Sequence, residues 1–200
     1  MDMRRIAGRT SISNRLSDPV RTFLLDFAVK ENRWPRKEVR ALLDRDSLVG
    51  SVLDHDRLVG AAQILFEPPY PVETAFPACI TRDGRVPCEV TLFAVERERR
   101  RSSADRDIRV FDALAKAVYL CCLGKGVSHV YGLIEERTIA ILEQRVGLVL
   151  TKIGGGDHHW RGADTHGLDR KPTVACAIDL HASQRRLQSE RPEFWKYLTS

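Results

Sequence analysis

The sequence predicts an α+β fold, an α/β sandwich whose mixed, mostly antiparallel central sheet carries helices on both faces. Three observations lead there. Ser51–Asp54 and Leu58–Phe66 are strand-like runs flanking the polar pair His55-Asp56, the pattern of an antiparallel hairpin. Glu89–Val95 (EVTLFAV) has the length and β-rich composition of a buried strand. The second half then alternates strand, long helix, strand, short helix, strand. Helices between strands point to layers on a sheet, and a hairpin-connected start argues against a doubly wound parallel fold.

Taken in order, residues 1–17 are basic and polar with few large apolar groups, and are expected to form a mobile or peripheral arm ahead of a single domain over 18–200. Asp18 and Pro19 supply an N-cap and a first helical position. Val20, Phe23, Leu24, Phe27 and Ala28 then repeat at helical spacing, predicting an amphipathic helix to about Glu31. Trp34-Pro35 restarts the chain into a shorter helix with Val39, Leu42 and Leu43 inward, closed by Asp44 and Asp46. The hairpin follows. Pro68, Pro69 and Pro71 force an irregular crossing segment, because each ring fixes φ and removes a donor. The turn-rich TRDGRVP then leads into Glu89–Val95.

After a charged loop, Ile108, Phe111, Leu114, Ala115, Val118 and Cys122 mark a long amphipathic helix with Gly124 as its terminator. Val127–Ile134 is a strand, Ile139, Leu142 and Val146 a short helix ending near Gly147, and Leu148–Ile153 a strand. Gly154–Asp169 is a loop, Pro172–Leu180 an alternating strand, and the tail beyond Pro192 a short packed helix. The order is α-α-β-β-β-α-β-α-β-β, with that tail.

Composition bounds the function. Two hundred residues with 43% hydrophobic and 30% charged side chains describe an ordinary globular chain. A chain of this length buries about 70% of its unfolded surface and needs no disulfide or metal staple. Lys plus Arg number 32 against 27 Asp plus Glu, a net charge of +5 that permits an acidic partner without requiring nucleic acid. No apolar stretch approaches the ~20 residues of a membrane span. The start MDMRRIAGRTSISNRLSD has no apolar core of a secretory signal. Five cysteines form no C-x-x-C pair, and an odd count does not make a disulfide framework. The expectation is a cytoplasmic protein with no nucleic-acid or membrane partner.

Asp157, His158, His159, Asp164 and His166 crowd one loop, but adjacent histidines point differently and neither H-x-x-x-H nor H-E-x-x-H spacing occurs, so no metal site is expected. Gly154-Gly155-Gly156 precedes no helical pattern and does not read as a nucleotide loop. The cysteines, mostly in apolar contexts, read as core.

Several stretches carry a resemblance in order and spacing across nearly the whole chain. They are Trp34 after the first helix, the acidic pair Asp44 and Asp46, LVGAAQIL followed by PPYPVETAFP, CEVTLFAV, ILEQRVGLVLTKIG, and PTVACAIDL. Together they resemble the GNAT acyltransferase superfamily and, within it, the acyl-homoserine-lactone synthases. The sequence departs from that pattern at two arginines, replaced by Gln63 and Leu92, and in a D-x-D acidic pair where the family spacing is longer.

The resemblance implies a GNAT-like sheet and an N-acyltransferase, an autoinducer (quorum-sensing) synthase. An acyl group on a thioester, carried by acyl-carrier protein or coenzyme A, would pass to the amine of S-adenosylmethionine. Lactone closure would follow, with no tightly bound cofactor. The alternative is a related N-acyltransferase for another amine, such as an amino acid, which Gln63 and Leu92 favour. A third reading, a non-catalytic nucleic-acid binder, predicts steeply salt-dependent affinity.

The implied roles are specific. Backbone groups of Leu92, Phe93, Ala94 and Val95 would hydrogen-bond the pantetheine arm as an added strand. Glu89 would act as general base or position a water, its pKa raised if it is desolvated beside the strand. Otherwise it is a strand-end glutamate in an ion pair. Asp44 and Asp46 would attract a cationic acceptor, and Trp34 with Phe27 would wall its pocket, a sulfonium suiting an aromatic face. Where coenzyme-A-using relatives place a glycine-rich pyrophosphate loop, this chain has Glu96-Arg97-Glu98-Arg99-Arg100-Arg101. That favours a carrier-protein donor whose acidic surface Arg97, Arg99, Arg100 and Arg101 would dock.

Overall fold

Local chemistry sets the hairpin. Strand β2 (Leu48–Asp54) pairs antiparallel with β3 (Arg57–Leu65) through the two-residue turn expected from the sequence. His55 and Asp56 both take positive φ, 48° and 63°, the backbone that matches the twist of two-residue hairpins. The computed structural model describes residues 8–31, 34–77, 79–80, 83–96, 104–154 and 173–200. These fall into two units, Met1–Ile64 with Leu92–Cys121 and Leu65–Thr91 with Cys122–Ser200. In the sheet, β2 and β3 lie between β1 (Gly8–Ser13) and β4 (Pro87–Val95), and β5 (His129–Glu135), β7 (Thr173–Asp179) and β6 (Leu150–Gly154) follow; β4 and β5 pair in parallel, while β1–β2, β2–β3, β5–β7 and β6–β7 are antiparallel.

In the first unit, β1 (Gly8–Ser13) pairs antiparallel with β2. The segment expected to be a loose arm therefore supplies an edge strand, whose one large apolar residue, Ile12, is exposed. Helix α1 (Asp18–Asp26) begins with Pro19 in its first turn and Ser17 at the cap, one residue earlier than expected. It passes into a π-helical turn over Phe27–Glu31, and α2 (Arg36–Leu43) buries Val39, Leu42 and Leu43 as its spacing requires.

The long helix α4 (Ala104–Gly124) lies on the opposite face of β2 and β3 from α2. Val110, Ala113 and Leu114 pack there against Val52, Val59 and Ala62. A side chain at Gly60 would meet Val110 Cγ1 at 3.1 Å, and one at Gly50 would meet Ala117 Cβ at 3.2 Å. The two glycines set the close approach of this helix. Strand β4 (Pro87–Val95) ends in this unit, where Glu96 N–H donates to the Val59 carbonyl at 2.9 Å.

In the second unit, Pro87–Glu89 of β4 pair in parallel with His129–Tyr131 of β5 (His129–Glu135). β5 pairs antiparallel with β7 (Thr173–Asp179), and β7 with β6 (Leu150–Gly154). The proline-rich crossing segment is not wholly irregular, since it holds a one-turn helix, α3 (Pro71–Ala75), just after a cis Pro68–Pro69 peptide.

Helix α5 (Glu136–Ile141) continues as a π-helical turn that Gly147 closes with φ 88°. Gly124 ends α4, but the left-handed residue is Gly126, φ 67°. Two final helices, α6 (Leu180–Glu190) and α7 (Pro192–Thr199), close the chain; α6 was not foreseen. Successive residues of β4 point to opposite faces. Cys88 meets Cys122, near the end of α4, at 3.7 Å between sulfurs, while Glu89 meets α3. Helices thus cover both faces in each unit, as the sequence predicts. No helix among the described residues is long and apolar enough to cross a membrane.

Candidate functional site

Glu89 is the sequence-predicted residue with the most demanding surroundings. It is 1% exposed, and a buried carboxylate needs donors to replace lost water. Val72 N–H, at the start of α3, donates to both of its oxygens, at 3.2 Å to Oε1 and 3.0 Å to Oε2.

The crossing segment is built to deliver that N–H. Pro71 pre-sets the first helical φ. Glu73 accepts from Tyr70 N–H at 3.2 Å, and the Tyr70 hydroxyl donates to the Phe66 carbonyl at 2.7 Å, with the Pro87 carbonyl 3.2 Å away. Tyr70 therefore pins the helix beside the first residue of β4. The ring of Phe76, just past α3, lies on Gly154, where any side chain would meet its Cδ1 at 2.6 Å. The expectation of a solvated strand-end glutamate is not met, for Glu89 sits inside, tied to main chain.

Cys79 closes the same corner. Its sulfur donates to the Val72 carbonyl at 3.6 Å, and burial first, then the Glu73 and Glu89 charges, push its thiol pKa up. It is held as a neutral thiol.

On β5, His129 and Tyr131 share a face with Pro87 and Glu89. Their rings lie 6.5 Å apart in near-stacked geometry. Ser128 Oγ lies 2.9 Å from His129 Nδ1 and accepts from Val86 N–H at 3.0 Å. Desolvation, then the nearby Arg85 charge, lower the His129 pKa, so the ring favours its neutral form. Sequence reasoning passed over Tyr131. The available signal was a polar aromatic alternating with His129 in the apolar run SHVYGL.

The acceptor-side residues expected from the resemblance lie in the first unit. Trp34 and Phe27 are both half-buried, and Trp34 N–H donates to the Ala28 carbonyl at 3.0 Å, folding the tryptophan back onto the π turn that Phe27 begins. Asp44 caps α2 and is exposed, and Arg21 Nη1 donates to its Oδ1 at 2.6 Å while Nη2 donates to the Leu43 carbonyl. Asp46 is exposed two residues on. Gln63 on β3 is 0% exposed, and its Nε2 donates to the Leu42 carbonyl at 3.0 Å and to Ser47 Oγ at 3.2 Å, on either side of them in sequence. It fastens the corner that carries both aspartates.

Leu92, Ala94 and Val95 are buried, while Phe93 is half-buried and packs its ring 5.1 Å from that of Phe111. Arg97, Arg99, Arg100 and Arg101 lie outside the described residues, as do Asp157, His158, His159, Asp164 and His166. Among the described residues no cluster of three metal-ligating side chains occurs.

No protein-family model and no curated protein matches the chain. Solved structures do. A coenzyme-A-dependent acyl-homoserine lactone synthase, BjaI, solved with S-adenosylmethionine and isopentyl-CoA, is 19% identical with a TM-score of 0.64, covering 96% of this chain and 87% of that one. FeeM, an N-acyl amino acid synthase from uncultured soil microbes, is 12% identical with a TM-score of 0.67, covering 90% and 95%. TofI, solved with an inhibitor and MTA, is 17% identical with a TM-score of 0.60, covering 86% and 91%. The chain has the GNAT fold that these and acetyltransferase structures share, and the resemblance read from the sequence holds at the level of fold.

Proposed function

We propose that the chain is an N-acyltransferase that moves an acyl group from a thioester to the amine of S-adenosylmethionine, whose carboxylate then closes onto its own side chain with loss of methylthioadenosine to give an acyl-homoserine lactone signal. The observation that carries the reading is Glu89, a buried carboxylate fixed by the Val72 N–H on a central strand of a GNAT sheet.

An attacking amine must lose a proton, and a carboxylate held at fixed distance from main chain is a ready acceptor. The amine nitrogen bonds to the thioester carbonyl carbon, the C–S bond breaks, and the ammonium proton passes by way of Glu89 to the leaving thiolate. Further along β4, the backbone of Leu92, Phe93, Ala94 and Val95 holds the pantetheine arm, a use of main chain that tolerates any side chain. Trp34, Phe27, Asp44 and Asp46 receive the cationic acceptor. The donor is acyl-carrier protein or acyl-CoA, the reaction needs no tightly bound cofactor, and the protein works in the cytoplasm without nucleic acid or membrane.

A second reading, transfer to another amine such as an amino acid, is favoured by Gln63. Its neutral amide is committed to Leu42 and Ser47 where the lactone synthases carry an arginine. Purified protein supplied with acyl-CoA or acyl-carrier thioester separates the readings. Free thiol together with methylthioadenosine from S-adenosylmethionine supports the first, and thiol release with an amino acid alone supports the second. No thiol release with any amine overturns both.

A further inference from the structure

Glu89 and Tyr131 are direct partners in the parallel pairing of β4 and β5. Paired residues of neighbouring strands project to one face, so the tyrosine stands beside the carboxylate on the side where α3 caps it. Tyr131 is 1% exposed, and its hydroxyl finds no hydrogen-bond partner among the described residues. Tyr70, equally buried in the same unit, uses its hydroxyl on main-chain carbonyls, which is the ordinary outcome for a buried phenol. A phenylalanine at position 131 would fill the same volume without stranding a polar atom. A hydroxyl there is therefore free to meet a group that none of the described residues supplies.

The neighbourhood defines that group. It must accept a hydrogen bond from an O–H while lying close to a carboxyl group, which suits an uncharged carbonyl oxygen better than a carboxylate or phosphate. Resting on the acyltransferase reading, we infer that Tyr131 donates its hydroxyl hydrogen to the carbonyl oxygen of the acyl thioester. It would thus be a catalytic residue of the transfer. As the amine nitrogen bonds to the carbonyl carbon, the π pair moves onto that oxygen and the tyrosine hydrogen bond strengthens. The pair then returns, the C–S bond breaks, and the thiolate takes the ammonium proton relayed through Glu89. Tyr131 keeps its own proton throughout. A donor aimed at developing charge in a water-poor site acts mainly on the chemical step and less on binding.

The test compares the wild type with Tyr131→Phe in thiol release from a medium-chain acyl-CoA and from the same acyl group on acyl-carrier protein, with S-adenosylmethionine or an amino acid as acceptor, alongside thermal melting. The expected result is a kcat lowered about 10²-fold, a KM for thioester changed far less, and an unchanged or raised Tm. Equal kcat in the two proteins overturns the role of Tyr131 and leaves the transferase intact. A lowered Tm with an unchanged kcat also overturns it, because the hydroxyl then serves the fold. A wild type that releases no thiol from either donor overturns the acyltransferase reading and this inference with it.

Discussion

Replacing Glu89 separates its chemical from its structural role. Glu89→Gln keeps a carbonyl oxygen in reach of Val72 N–H, now 3.0–3.2 Å from the carboxylate, but removes the proton acceptor. Glu89→Ala removes both, leaving the N–H of a fully buried residue without its carboxylate. An unmade hydrogen bond at a buried donor costs about 1–3 kcal/mol, and the emptied volume adds to that. The glutamine variant is therefore expected to melt close to wild type and the alanine variant several degrees lower. Both should lose turnover by about 10²-fold or more, the worth of a positioned general base. Thermal melting and thiol release from an acyl-CoA, run on all three proteins, read the two effects apart. Wild-type kcat in Glu89→Gln would refute the proton-relay argument, and equal melting of all three would refute the role assigned to the Val72 contact.

Three further perturbations follow from the geometry. Asp112 on α4 is pushed up from 3.8 to about 6 by burial alone, so the folded state resists its charge. That cost, at most about 3 kcal/mol, is fully present above pH 6 and shrinks as pH falls toward 3.8. Asp112→Asn should then raise stability at pH 8 but not near pH 4 in urea titrations, and the same gap at both values would contradict this. Gln63→Leu keeps the volume but strips the Leu42 carbonyl and Ser47 of their donor, for an expected loss of about 1–3 kcal/mol and a raised acceptor KM. An unchanged urea midpoint would show that the corner does not need it. Asp46→Asn should raise KM for a cationic acceptor by about 2- to 5-fold, as an exposed charge allows, and hardly alter KM for a zwitterionic amino acid. Steady-state kinetics with the two acceptors checks it.

What the sequence shows best is what local chemistry decides. The polar pair at 55–56 takes the left-handed turn its hairpin needs, Gly147 takes the positive φ that stops a helix, and β4 forms where its β-rich run predicts. Elements whose apolar pattern is sparse were missed. β1 (GRTSIS) has a single large apolar residue and exists by pairing along an edge, and α6 (LHASQRRLQSE) buries little beyond Leu187 and Ser183. Prolines hid α3, although one of them starts it.

The site divides the same way. Glu89 was legible as an acid on a buried strand, but its capping N–H comes from 17 residues upstream, a relation only tertiary structure sets. The stranded hydroxyl of Tyr131 depends on the β4–β5 register, which no sequence period encodes.

The acceptor question turns on how charge is arranged around one corner of the first unit. Gln63 is fully enclosed and hydrogen-bonded to that corner, so it offers an incoming carboxylate no positive charge. Asp44 has its charge matched by Arg21, with both side chains open to solvent. Asp46 makes no ion pair among the described residues, so it is the less compensated of the two carboxylates. Under the proposed acyltransferase reading, such a carboxylate favours an acceptor with positive charge to spare over one whose charges cancel. S-adenosylmethionine carries that excess through its sulfonium and a free amino acid does not. Each acceptor carries one carboxylate, so the uncharged Gln63 does not choose between them, and the choice rests on Asp46. A ratio of the two acceptor KM values that changes in Asp46→Asn and stays constant in Gln63→Leu would bear this out, and the reverse would refute it.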